Sequence, residues 1–186
     1  MIRVMLVEDD PFWIEHLQTE LGQEEDLRVI RVATTREEAV EAVRKLAIDV
    51  VLMDVNLTAN NLDGIQAVRE ISRLGKTRVI MLTSFTEKTI ILESLKNGAV
   101  NYITKEHYRD IVFAIRNAHA NQSPIHASAA GALLKELRLK ELTPTERIVY
   151  DLREQGLSKS DIAVRLQRSI ETVKSQFKNI SKKLYR

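Results

Sequence analysis

The chain has 186 residues, of which 44% are hydrophobic and 29% charged, and it contains no cysteine. This composition is that of a globular protein able to bury a core, and it excludes disulfides and thiolate metal sites. The apolar runs are too short for a membrane-spanning helix, and the early charges of MIRVMLVEDD do not fit a signal peptide. We therefore expect a cytoplasmic protein with no membrane partner.

Charge is unevenly spread along the chain, although the net charge is only +2. Residues 142–186 hold ten Lys/Arg against five Asp/Glu, whereas residues 1–141 hold eighteen against twenty-one. An acidic first part and a basic last part indicate two domains, of which the second faces an anion such as nucleic acid.

Five apolar segments are predicted strands, and several are apolar at successive positions, as in strands that are covered on both sides. They are residues 2–7, 27–33, 49–54, 78–84 and 100–104. Segments with helical periodicity follow each of them, the last from about residue 107 to 120. Five such units predict an α/β fold with a doubly wound, five-stranded parallel sheet.

Polar side chains follow four of these strands at the point where each strand ends. They are Glu8 and Asp9 after the first, Asp54 after the third, Thr83 at the end of the fourth, and Lys105 after the fifth. Parallel strands end at one edge of the sheet, so these side chains should converge. Three carboxylates need a cation, and oxygen ligands suit Mg²⁺. An aspartate can accept a phosphoryl group, whose oxygens a hydroxyl and an ammonium can bind.

Two other interpretations concern residues of this acidic cluster. Asp10 stands before Pro11 and is better explained as a helix cap than as a metal ligand. The stretch VVLMDVNLT resembles the Asp-x-Asp motif of haloacid dehalogenase-like phosphatases. In that motif the second acid transfers a proton, which Asn56 cannot do, and the motif strand opens the domain, whereas here it is third. Both points argue against the phosphatase alternative, which repeated turnover of a generic phosphomonoester would support.

Residues 1–120 resemble the receiver domain of bacterial two-component response regulators, through VEDDP, DVN with DG beyond it, MLTSF and NYITK. The resemblance implies a flavodoxin-like fold and a sensor histidine kinase as phosphoryl donor. It also implies a role for each matching residue: Asp54 as phosphoacceptor; Glu8, Asp9, Asp54 and the backbone carbonyl of Asn56 as Mg²⁺ ligands; Thr83 as the switch hydroxyl; Tyr102 as the aromatic switch residue; and Lys105 as the phosphate-binding lysine.

The loop after Asp54 departs from the family pattern. It lacks the usual Met-Pro pair and reaches Gly64 two residues later than most receivers do, around the stretch TANN (58–61). Glu106 also stands where many receivers have proline. We expect the two extra residues to alter the lifetime of the phosphoryl group or the mobility of the loop.

The last part of the chain is predicted to be a small all-α domain over residues 142–186, joined by a linker, residues 121–141, that should be helical. Three helix starts are capped: Thr143 with Glu146, Ser158 with Asp161, and Ser169. Gly156 should end the first helix. In the third helix, the apolar residues form one stripe that should be buried: Ile170, Val173, Phe177, Ile180 and Leu184.

This domain resembles the LuxR-type helix-turn-helix of NarL-like regulators, through LTPTE, GLSKSDIA and ETVKSQFKNISKKL. The resemblance implies that Lys174 and Lys178 lie at DNA. The exposed side of the third helix also carries Glu171, Thr172, Ser175, Lys182 and Lys183. Further candidates for DNA contact are Thr172, Ser175, Gln176 and Lys182, although Gln176 stands where the family usually has His. A basic helix taken alone would be an ordinary solvated helix.

These features predict a regulator of transcription that binds double-stranded DNA, is activated by phosphorylation of Asp54, and forms a homodimer when active. We expect no enzymatic activity apart from its own phosphoryl transfer and dephosphorylation. One alternative is a DNA-binding regulator with an atypical receiver that phosphorylation does not control. Another is a protein-interaction module, which DNA binding would exclude.

Overall fold

The computed structural model describes residues 1–58, 62–122 and 124–184. The chain divides into two compact units, residues 1–132 and 133–186. The division falls inside a helix of the predicted linker, so that the linker contributes to both units. The domain limits at residues 120 and 142 stay a prediction.

The first unit contains a sheet of five parallel strands in the order β2-β1-β3-β4-β5. The strands are β1 (Ile2–Val7), β2 (Leu27–Ala33), β3 (Val50–Met53), β4 (Arg78–Thr83) and β5 (Asn101–Thr104). This confirms the predicted doubly wound fold. The chain order reverses between β1 and β3, and ligands of such sheets bind beside this reversal, at the carboxyl ends of the strands.

Five α-helices and one 3-10 helix cover the sheet in the described part of this unit. They are α1 (Pro11–Gly22), α2 (Arg36–Lys45), α3 (Asp63–Leu74), α4 (Lys88–Lys96), the 3-10 helix (Lys105–Asp110) and α5 (Ile111–His119). α1 and α5 pack on one side of the sheet, whereas α2, α3 and α4 pack on the other. Alternate residues of β1 enter the two apolar clusters, which explains why its sequence is apolar at successive positions.

Local signals placed the helix starts well, with one correction. Asp10 caps α1 by accepting a hydrogen bond from the backbone N–H of Phe12 at 2.9 Å, as expected for a cap. The single helix predicted from about residue 107 was wrong, because α5 begins only at Ile111. The segment before it, Lys105–Asp110, is a 3-10 helix, and His107 within this segment departs from the helical conformation (φ −107°, ψ 26°).

The second unit packs three short helices around its own apolar cluster. They are α7 (Pro144–Glu154), α8 (Lys159–Arg165) and α9 (Ile170–Leu184), preceded by α6 (Ala127–Leu139). The capping boxes at Thr143 and Ser158 are confirmed. Gly156 has a φ of +91°, which favours glycine and ends α7. None of the helices within the described ranges combines the length and apolarity needed to cross a bilayer.

The predicted buried stripe of α9 is only partly right. Val173, Ile180 and Leu184 are buried, and Phe177 is half-buried against the same cluster. Ile170, however, is 40% exposed. It is the first residue of α9 and lies outside the apolar cluster that the later turns of the helix join.

Candidate functional site

An acidic pocket lies where β1 and β3 end, beside the reversal of strand order. The backbone N–H of Asp54 donates to the carbonyl of Val7 at 2.9 Å, which fixes the two strand ends side by side. Glu8, Asp9 and Asp54 each place a carboxylate oxygen within 4.8 Å of the other two. Glu8 and Asp54 are buried, whereas Asp9 is exposed and leaves the pocket open to solvent.

Lys105 enters this pocket from the end of β5. Its Nζ lies 2.6 Å from Glu8 Oε2 and 2.9 Å from Asp54 Oδ2. Burial alone would lower the pKa of Lys105, but the negative charges of Asp54 and Glu8 outweigh this effect and raise the pKa, so the ammonium stays charged. With Asp9, three carboxylates then face one ammonium. The residual charge and the set of hard oxygen donors suit a divalent cation such as Mg²⁺.

Trp13 is a contact of this pocket that the sequence did not indicate. Its ring centroid lies 5.1 Å from Lys105 Nζ, within the range of a cation–π interaction. Trp13 is the only tryptophan of the chain and lies on α1. No spacing rule connects a residue of α1 to one that follows β5, so only the folded structure could reveal this contact.

The neighbouring backbone also fixes the carboxylate of Asp54. Its Oδ1 accepts a hydrogen bond from the backbone N–H of Val55 at 2.6 Å. The start of α3 crosses directly above this point, where a Cβ at Gly64 would lie 1.8 Å from the carbonyl oxygen of Asp54. Gly64 is therefore required for this close approach, which explains the DG that follows the DVN stretch.

The loop after Asp54 is described only in part. The side-chain oxygen Oδ1 of Asn56 is buried, and among the described residues it has no hydrogen-bond partner. The expected ligand at this position is the backbone carbonyl of Asn56, and that expectation stays a prediction. Of the stretch TANN, residues 59–61 lie outside the described residues, so the proposed effect of the loop length is not tested.

Thr83 and Tyr102 lie on neighbouring strands and share one backbone partner. Both side chains are fully buried. The Tyr102 hydroxyl donates to the carbonyl of Phe85 at 2.9 Å, and the N–H of Phe85 lies 3.5 Å from Thr83 Oγ1. Burial raises the pKa of Tyr102 further above its ordinary value, so the hydroxyl remains a neutral donor.

Most of the candidate DNA-contacting residues of α9 lie on its solvent side in the second unit. Thr172, Lys174, Ser175, Lys178 and Lys182 are exposed, as predicted, whereas Gln176 is half-buried.

The other lysine near the end of α9 has a structural partner instead. Lys183 is only 34% exposed at its side chain, and its Nζ donates to the buried Glu146 Oε2 at 2.6 Å. Glu146 is also the acidic member of the capping box of α7. Lys183 therefore stabilises the packing of α9 on α7.

Comparisons with known proteins decide the family. The sequence-family model of the response regulator receiver domain matches residues 4–116 of this chain. The transcriptional regulatory protein LiaR of Bacillus subtilis (strain 168) is 32% identical over 99% of this chain and 91% of its own length. The chain is a response regulator of the NarL/LuxR type.

Other relatives of this response regulator agree over nearly its full length. The DNA-binding transcriptional activator DevR/DosR of Mycobacterium tuberculosis is 31% identical, over 99% of this chain and 88% of its own. The structure of an RcsB–DNA complex superposes with a TM-score of 0.72 at 24% identity, covering 98% and 91% of the two chains, and supports the fold alone. The full-length relatives named here are described as transcriptional regulators.

Metal binding by this response regulator should depend on pH. Burial raises the pKa of Glu8 to about 7; the hydrogen bond from Lys105 opposes this shift, and the charge of Asp54 adds to it. A protonated Glu8 cannot bind a cation, so Mg²⁺ binding should weaken as pH falls through this pKa. Between about pH 6 and about pH 8 we expect a roughly tenfold gain in apparent Mg²⁺ affinity, measured by calorimetry.

A Glu8→Gln variant provides the control for this pH dependence. It should bind Mg²⁺ weakly and with little change over the same pH range. Equal pH dependence in the variant and in the parent chain would show that another group titrates.

Proposed function

We propose that the chain is a phosphorylation-controlled regulator of transcription, in which Asp54 accepts a phosphoryl group from a sensor histidine kinase. The observation that carries this proposal is the placement of Asp54 between Glu8, Asp9 and Lys105 at the carboxyl end of β3. A buried carboxylate with an ammonium and two further acids around it can serve as a nucleophile for an incoming phosphoryl group.

Glu8, Asp9 and Asp54, together with the backbone carbonyl of Asn56, would hold Mg²⁺. When bound, the ion neutralises the charge of the phosphoryl oxygens. In the transfer, the P–N bond of the phosphorylated kinase histidine breaks as a bond forms between a carboxylate oxygen of Asp54 and phosphorus. The electron pair of the broken bond stays on the imidazole nitrogen.

Lys105 would bind the transferred phosphoryl group. Its ammonium, now 2.9 Å from Asp54 Oδ2, would move to a phosphoryl oxygen, and the Thr83 hydroxyl would bind another. Because Thr83 and Tyr102 share Phe85 as a partner, the change would reach Tyr102 and shift an existing equilibrium between two conformations.

The output of this switch would be binding to double-stranded DNA in the cytoplasm, by a homodimer. The exposed residues of α9 include Lys174, Lys178 and Lys182, which can contact phosphates. Thr172, Ser175 and Gln176 lie in the first turns of α9, where a helix in the major groove contacts bases. The relative DevR/DosR, a DNA-binding transcriptional activator, supports this half of the proposal.

Beryllofluoride with Mg²⁺, which imitates an aspartyl phosphate, tests the proposal. We expect it to convert the full chain from monomer to dimer and to tighten its binding to duplex DNA, measured by light scattering and fluorescence anisotropy. If the chain binds DNA but neither its oligomeric state nor its DNA affinity responds to beryllofluoride, it is a DNA-binding regulator with a receiver that phosphorylation does not control. Absence of DNA binding in both states would favour a protein-interaction module.

A further inference from the structure

One strand, β5, contacts both the proposed phosphorylation site and the start of the linker. Tyr102 lies within β5 and Lys105 directly follows it, and both belong to the proposed site. Asn101 and Thr104, at the two ends of β5, hydrogen-bond to residues of the segment 124–128. Among the described strands, β5 is the last on its side of the sheet, so this segment lies along the edge of the sheet.

Asn101 forms the first of these attachments. Its side chain is buried, and Oδ1 accepts hydrogen bonds from the backbone N–H groups of Tyr102 at 2.9 Å and His126 at 3.0 Å. Its Nδ2 donates to the carbonyl of Pro124 at 3.2 Å. The side chain of Asn101 therefore joins the backbone of β5 to the backbone of the linker.

Ser128 and His126 form the second attachment, at the other end of β5. Ser128 Oγ lies 3.3 Å from Thr104 Oγ1 and accepts from the N–H of Thr104 at 3.5 Å. His126 Nδ1 accepts from the N–H of Ser128 at 3.1 Å, so its other nitrogen carries the proton and donates to Asp110 Oδ2 at 3.0 Å. Thr104 Oγ1 also lies 2.8 Å from His107 Nδ1, so His107 joins the same series of polar contacts.

Apolar contacts hold the first turns of α6 at the same place. Ala129 and Ala132 are buried in the cluster that also contains Tyr102 and Ile91. Small side chains allow the helix to approach this cluster closely. Pro124, His126, Ser128, Ala129 and Ala132, with their partners Asn101 and Thr104, are called the clasp below.

We propose that His126 and Ser128 are positioning residues of the phosphorylation site, and that the clasp is closed when Lys105 pairs with Asp54 and loosens when a phosphoryl group draws Lys105 away. This inference rests on the proposed function. Thr104 directly precedes Lys105, so a shift of the lysine moves the partner of Ser128. The two bonds between Thr104 and Ser128, at 3.3 and 3.5 Å, are long enough for a small displacement to break them.

Coupling of this kind acts in both directions. If beryllofluoride loosens the clasp, then loosening the clasp by mutation must tighten the binding of beryllofluoride by the same factor. The double variant His126→Ala/Ser128→Ala should therefore bind beryllofluoride roughly fivefold more tightly than the parent chain, a coupling of ordinary size. The fluorescence of Trp13, whose ring centroid lies 5.1 Å from Lys105 Nζ, reports the titration.

The experiment uses the full chain, Mg²⁺ and beryllofluoride, with two readouts. In the parent chain, amide hydrogen exchange at residues 126–132 should accelerate when beryllofluoride is added. In the double variant, exchange there should already be fast and the titration midpoint should be lower. His119→Ala is the matched control, because His119 is an exposed histidine at the end of α5 outside the clasp. The single variant Ser128→Ala replaces the double variant if the latter melts at a lower temperature.

The outcomes separate this inference from the proposed function. Binding of beryllofluoride with unchanged exchange at residues 126–132 and equal midpoints in all variants would overturn the clasp alone. A fluorescence signal that does not respond to beryllofluoride in any variant, or one that persists in Asp54→Asn, would overturn the proposed function and the clasp with it.

Discussion

Replacing Asp54 by Asn should abolish phosphorylation of the chain by acetyl phosphate and leave its binding to DNA intact. The amide has the size of the carboxylate but is not a nucleophile for phosphorus, and Lys105 keeps Glu8 as a partner at 2.6 Å. The folded second unit has its own apolar cluster, so it should be unaffected. Phosphate-affinity electrophoresis measures the first effect, and fluorescence anisotropy with a duplex measures the second.

Asp26→Asn is the matched control for this substitution. Asp26 is an aspartate whose carboxylate pairs with Arg116 on the surface, and its loss should leave phosphorylation unchanged. If Asp54→Asn is still phosphorylated at the parental rate, the acceptor is another residue and the site assignment is wrong.

Replacing Lys174 and Lys178 together by Ala should weaken binding to a random-sequence duplex and reduce its salt dependence. Each lysine that neutralises a phosphate releases counterions, so the slope of log affinity against log salt should become shallower by about 2 for the pair. The ion pair of Lys174 with Glu171, at 2.8 Å, is exposed and should yield easily to a phosphate.

Lys140→Ala supplies the control for the lysine pair, because Lys140 is exposed just beyond the end of α6 and outside α9. Lys183 would be a poor control, since its contact with the buried Glu146 contributes to packing. An unchanged salt slope in the Lys174/Lys178 variant would show that DNA is bound elsewhere or only through neutral contacts.

Local patterns explain how much of the fold could be predicted. The apolar run at residues 27–33 coincides with β2, and the caps at Asp10, Thr143 and Ser158 each begin a helix, because these signals depend on a few neighbouring residues. The convergence of Glu8, Asp54 and Lys105 followed from one further rule, that parallel strands end at the same edge of the sheet.

The amino-acid sequence by itself thus determined the order of the elements, the type of sheet and the residues that gather at its edge. Only the tertiary structure decided that Lys105 bridges Glu8 and Asp54, that its Nζ lies over the ring of Trp13, and that Asn101 joins β5 to the segment near His126. It also decided that Ile170 is exposed. These features depend on which side chains meet across separate elements, and such contacts leave no periodic signal in the chain.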